Sequence, residues 1–102
     1  MTDLYADVEW CLRGTSAEQP LALDGLVSCI DYRQHLVATH DEVAAALRRL
    51  RAEGRVAGTA RGYFVVAADG GEPPPFAPPA EAEHDAAVAK YQERMQRLMR
   101  SG

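Results

Sequence analysis

Asp41-Glu42-Val43-Ala44-Ala45-Ala46-Leu47-Arg48-Arg49-Leu50-Arg51-Ala52-Glu53-Gly54-Arg55-Val56 is the stretch whose reading decides the fold. Val43, Ala46, Leu47 and Leu50 recur at helical spacing and make one apolar stripe. Just upstream, Thr39-His40-Asp41-Glu42 has a hydroxyl residue three positions before a glutamate. In this capping box each side chain satisfies a free backbone donor at the helix start. Ala44 and Ala45 add helix propensity, and Gly54 supplies a left-handed stop. Beyond Gly54 the period changes. Residues 55–59 and 63–67 read as two short strands joined by Ala60-Arg61-Gly62, a hairpin.

Upstream, the pattern predicts two more helices. One runs from about Asp24 to Arg33, with Leu23, Leu26, Val27 and Ile30 as its buried stripe and Asp24 as N-cap. The other runs from about Asp3 to Arg13, with Leu4, Val8, Cys11 and Leu12 inward and Gly14 ending it. Residues 15–20 read as a loop, and Pro20-Leu21-Ala22-Leu23 as a short extended piece. In the turn Gln34-His35-Leu36-Val37-Ala38, Leu36 and Val37 are expected to fill the gap between helices. Asp31 and His35 are expected to fix that turn by hydrogen bonding, with His40 exposed on the next helix and Trp10 and Tyr32 partly buried.

Downstream, five of the six prolines fall at Pro73, Pro74, Pro75, Pro78 and Pro79, which predicts an extended connector. A last helix over about Ala80–Arg100 carries acids at its start and arginines at its end, complementing the helix dipole. His84, Val88, Tyr91, Met95 and Leu98 are spaced four, three, four and three, a heptad-like seam that must bury against something. The chain therefore divides into a domain at 1–69, a Pro/Gly-rich linker at 70–79 and an amphipathic helix at 80–102.

The 102 residues suffice for one domain with one core. The net charge of −4 argues against a surface that is basic throughout. Its distribution is uneven: residues 39–62 carry five arginines against three acids, and are the only basic segment. Cys11 and Cys29 lie in apolar helical patterns and are expected to be buried free thiols. MTDLYADVEW has neither a basic start nor an apolar run, so no leader is expected and the cytoplasm is the expected compartment. No stretch has the roughly 20 apolar residues of a membrane span.

The order helix, helix, helix, hairpin is that of a mainly α (α+β) winged helix-turn-helix with an extra C-terminal helix. The quoted stretch resembles the third helix and first wing strand of that superfamily, with an acidic start, Leu-x-x-Leu, then Glu-Gly-x-Val. Asp31-Tyr32-x-x-His35, Thr39-x-Asp41-Glu42 and Ala46-Leu47-x-x-Leu50 resemble a group of small uncharacterised bacterial winged-helix proteins. The likeness covers about residues 4–67 and implies DNA binding in transcriptional regulation. His40, Ala44, Ala45, Arg48, Arg49 and Arg51 would then face the major groove, with Arg55 and Arg61 on the hairpin touching phosphate. A homodimer would form through His84, Val88, Tyr91, Met95 and Leu98. Against this, Asp41 and Glu42 stand where the duplex would approach, and Ala44 and Ala45 offer no hydrogen bonds. The alternative is a non-catalytic protein-protein interaction adaptor on the same fold. No catalytic signature, cofactor motif or metal-ligand spacing is present, so none of these is expected.

Overall fold

The computed structural model describes residues 3–66 and 74–101, the last by its backbone alone. The elements are α1 (Tyr5–Cys11), α2 (Leu23–Gln34), α3 (His40–Ala52), β1 (Val56–Thr59), β2 (Gly62–Val65) and α4 (Glu81–Ser101). Three helices, an antiparallel hairpin and a C-terminal helix make the expected α+β layout of a winged helix.

The capping box starts α3. The Thr39 hydroxyl accepts from the Glu42 N–H at 3.2 Å, and the Glu42 carboxylate accepts from the Thr39 N–H at 3.0 Å. Gly54, at φ +71°, turns the chain out of the helix. Val43, Leu47 and Leu50 then meet Leu4, Val8 and Leu12 of the first helical segment and Leu23, Leu26, Val27 and Ile30 of the second. Each such side chain contributes about 1.5–3 kcal/mol by leaving water.

The second helix begins differently from expectation. Ala22, not Asp24, is its N-cap, and no side chain caps it. The Leu23 N–H instead donates to the Ala60 carbonyl at 3.2 Å, so the hairpin turn satisfies it. Asp24 sits inside the first turn and pairs with Arg94 at 3.1 Å. At the other end His35 adopts φ +57°, and its N–H donates to the Asp31 carbonyl at 2.6 Å. The backbone closes this turn, not the side chains of Asp31 and His35. Leu36 packs on the core, whereas Val37 is exposed, because buried Ala38 fills the place between the helices. Tyr32 is 79% exposed, on the face of α2 turned from the core.

The hairpin register is Val56↔Val65, Ala57↔Phe64, Gly58↔Tyr63 and Thr59↔Gly62. Val56, Ala57 and Tyr63 are buried, so the hairpin roots in the core. Leu21 makes an antiparallel bridge to Tyr63 on the outer side of β2, with reciprocal hydrogen bonds of 2.9 Å. On the outer side of β1, Phe76 makes a parallel bridge to Gly58. The Gly58 N–H donates to the Pro75 carbonyl and the Ala77 N–H to the Gly58 carbonyl, both at 3.0 Å. Residues 74–79 are thus extended, as a proline run favours, but strapped onto the domain. Ala67 and residues 70–73, placed in the second strand and the linker by the sequence, lie outside the described residues.

Two further corrections concern α4 and the cysteines. The first half of α4 folds back on α2, so His84 and Tyr91 are only 4% and 6% exposed. Cys11 and Cys29 are joined in a disulfide across α1 and α2, with Cα atoms 6.0 Å apart, and are not free thiols. The apolar spacing that suggested two buried cysteines brings them onto facing sides of packed helices. Among the described residues no helix is long and apolar enough to cross a membrane.

Candidate nucleic-acid interface

At 100° per residue, His40, Ala44, Leu47 and Arg51 share one stripe of α3, and Asp41, Ala45, Arg48 and Ala52 share the next. The second stripe is open to solvent. The first is not. The strap reaches both its ends: the Arg51 guanidinium donates to the Pro74 carbonyl at 2.8 Å, and the His40 Nε2–H donates to the Pro79 carbonyl at 2.7 Å. These anchors are eleven residues apart on α3, about 16 Å along the helix axis. Six extended residues span roughly that distance.

The Arg51 guanidinium also lies over the Phe76 ring, 5.5 Å from its centroid. Phe76 in turn meets the Tyr63 ring at 6.1 Å, and the Tyr63 hydroxyl donates to the Ala77 carbonyl at 2.8 Å. Burial, reinforced by the charge of Glu83, pushes the Tyr63 hydroxyl well above its ordinary pKa, so it remains a proton donor.

The eight residues expected to meet DNA therefore divide. Ala44 is fully buried and cannot face a groove, which corrects the sequence reading. His40 is half-buried and engaged, not exposed, and Arg51 is held by the strap. Arg49 pairs with Asp3 at 3.3 Å and lies 4.3 Å over the Tyr5 ring. Arg55 pairs with Glu9, lies 3.9 Å from Glu53, and donates to the Tyr5 hydroxyl at 2.8 Å. Burial opposes the charge on Arg55, but Glu9 and Tyr5 outweigh it and the cation is held more firmly than usual. Ala45, Arg48 and Arg61 are exposed, and neither of these two arginine side chains has a partner among the described residues.

The five residues expected to pair two copies also divide. His84 and Tyr91 are buried in their own domain, and Val88 packs on the same core. The reason is that α2 offers an apolar face within the chain. Met95 and Leu98 are exposed, the latter 63%, and Met99 beside them is more so. The exposed part of the seam is therefore Met95 and Leu98, with Met99 exposed beside it.

Sequence reasoning missed the buried carboxylate of Asp7, which accepts from Arg33 at 2.8 Å and from Gln34 at 2.9 Å. Its signal was an acid beside Val8 and three positions after Leu4, on the apolar face of the first helix. Trp10 flanks this pair, with Arg33 stacked 4.5 Å over its ring. Among the described residues no cluster of three His, Cys, Asp or Glu side chains is arranged to hold a metal ion. No family model, curated protein or solved structure matches the chain.

Proposed function

We propose that the chain is a non-catalytic protein-protein interaction adaptor with a winged-helix layout, working as a homodimer through the exposed end of α4. The observation that carries this reading is the strap. It engages His40 and Arg51, two of the residues expected to meet a duplex. Two of the four arginines beyond it are matched by carboxylates, Arg49 by Asp3 and Arg55 by Glu9 and Glu53. Each such pairing reduces the counterion release that drives binding to phosphate backbones. In contrast, Met95, Leu98 and Met99 form an apolar run on the last two turns of a helix whose earlier turns are already buried. An isologous contact between two such ends satisfies both copies at once.

A second reading, the winged-helix DNA-binding regulator, is favoured by one observation. Arg48 on the open stripe of α3 and Arg61 at the hairpin turn are exposed and unpaired among the described residues. A cytoplasmic setting belongs to both readings, and the Cys11–Cys29 bond would there be subject to cellular reductants.

Sedimentation and a gel shift separate the two. The adaptor reading expects a dimer at micromolar concentration that becomes monomeric when Leu98 and Met99 are changed to Glu, with no retardation of random duplex at low salt. Retardation that weakens steeply with salt and disappears in Arg48→Glu/Arg61→Glu would overturn it in favour of DNA binding.

A further inference from the structure

The end of the strap, the start of α3 and the first turns of α4 meet at a pair of histidines. His84 is almost fully buried, and among the described residues neither ring nitrogen makes a well-formed hydrogen bond, although the Ala38 backbone lies near enough to favour a proton on the ring. Its ring meets that of His40 edge-on, with centroids 6.0 Å apart and an interplanar angle of 68°. His40 in turn holds the strap through the Pro79 carbonyl. A carbonyl only accepts, so the His40 Nε2 must carry the proton in that bond. Its Nδ1 lies 3.3 Å from Asp41. One imidazole secures the strap and the other is buried beside it, with no well-formed hydrogen bond to either nitrogen among the described residues.

A buried ring of this kind is tolerable while neutral and not when charged. We propose that His84 is an acid-sensitive latch: its protonation drives the first turns of α4 and the strap away from α3 and frees the side chains of His40 and Arg51.

The surroundings decide the sign. The groups around His84 are His40 and Asp41 from α3, the Ala38 backbone, and Glu81 and Asp85 from α4 itself. Burial and the neighbouring His40 disfavour the charged ring, while Asp85 and the Ala38 backbone favour it. The first two prevail, and His84 is held below the ordinary histidine range. Asp41 and Glu81 are exposed, so solvent screens them. The unfolded or opened chain thus binds more protons than the closed one as pH falls below about 6.5. The latch is closed above that value and is progressively weakened below it. Release would change which surface of α3 is accessible without breaking the helical core, because Val43, Leu47 and Leu50 pack on α1 and α2.

Hydrogen exchange on the full chain at pH 7.5 and pH 5.0, corrected for intrinsic rates, tests this. Protection of the amides of Gly58, Ala77 and residues 84–91 should fall several-fold at the lower pH, to at most about thirtyfold, the limit that an ordinary histidine pKa of about 6.5 sets at pH 5.0. Residues 43–50 should be unaffected, and His84→Leu should remove the acid response. Equal protection at both pH values in the wild-type protein overturns the proposal, as does a His84→Leu variant that keeps the response. The wild-type imidazole gives a second reading by NMR. His84 should titrate below the ordinary range together with the amide shifts of Gly58 and Ala77, and a titration uncoupled from those amides equally overturns it.

Discussion

The Tyr91 hydroxyl donates a hydrogen bond to the Asp31 carboxylate and so ties α4 to α2 across 60 residues of sequence. That acceptor, with burial and the charge of Asp31, raises the Tyr91 pKa. The two residues were read from sequence as an interface residue and a turn-fixing residue, and they serve each other instead. Tyr91→Phe should lower stability by about 1–2 kcal/mol, since it removes one bond to a charged acceptor that water can partly replace. In a domain of this size that is a fall in Tm of roughly 4–8 °C per kcal/mol, read by thermal circular dichroism. Solution mass should not change, because the ring faces its own chain.

Gly58 should tolerate no side chain. It has φ +114°, and a Cβ there would lie 2.1 Å from the Gly62 carbonyl oxygen and 2.9 Å from the Tyr63 Cα. Both obstacles are backbone, so the hairpin would have to open. Gly58→Ala should destabilise by more than about 2 kcal/mol, measured from the urea midpoint. It should also loosen the strap, which bonds to the same residue on both its backbone groups.

Reducing the Cys11–Cys29 bond should lower stability. The bond joins residues 18 apart, and closing a loop of that length removes conformational freedom from the unfolded chain worth about 3 kcal/mol. Urea unfolding with and without dithiothreitol measures the difference, and the Cys11→Ser/Cys29→Ser chain should match the reduced form.

Asp7 should give the protein a separate acid limb. Burial pushes its carboxyl up, but the bonds from Arg33 and Gln34 and the charge of Arg33 pull it down further, and the net pKa is lowered. Its contribution is therefore whole above about pH 4 and is lost as pH falls towards the depressed value. Stability should drop as pH falls below about 4, and Asp7→Asn should flatten that limb. The same change should lower stability at pH 7 by about 1–3 kcal/mol, because Arg33 loses its buried partner.

The helical core was legible because its signals are local. The capping box at Thr39 and Glu42 and the stripe of Val43, Leu47 and Leu50 act within one helix, as does the change of period after Gly54. What the sequence concealed is all long-range. An alanine at position 44 is compatible with either side of a helix, and only the packing around α3 decides that it is buried. The seam of α4 told correctly that one face seeks cover, but not that α2 supplies it for Tyr91 and leaves Leu98 without it. Arginines in a basic segment could not reveal their carboxylate partners, since Asp3 lies 46 residues before Arg49.

Leu21 and Phe76 flank the hairpin on its two outer sides, and this bears on how the protein behaves when crowded. A bare strand offers a row of open amides and carbonyls to any neighbouring molecule, and cross-molecule zippering into fibrils starts there. Here Leu21 stands along one margin and the proline segment along the other, and prolines have no amide to offer a further strand. Cleavage between Val66 and Pro74 followed by loss of the distal piece would bare the margin at Gly58. Such a clipped species should clump where the intact one stays dispersed.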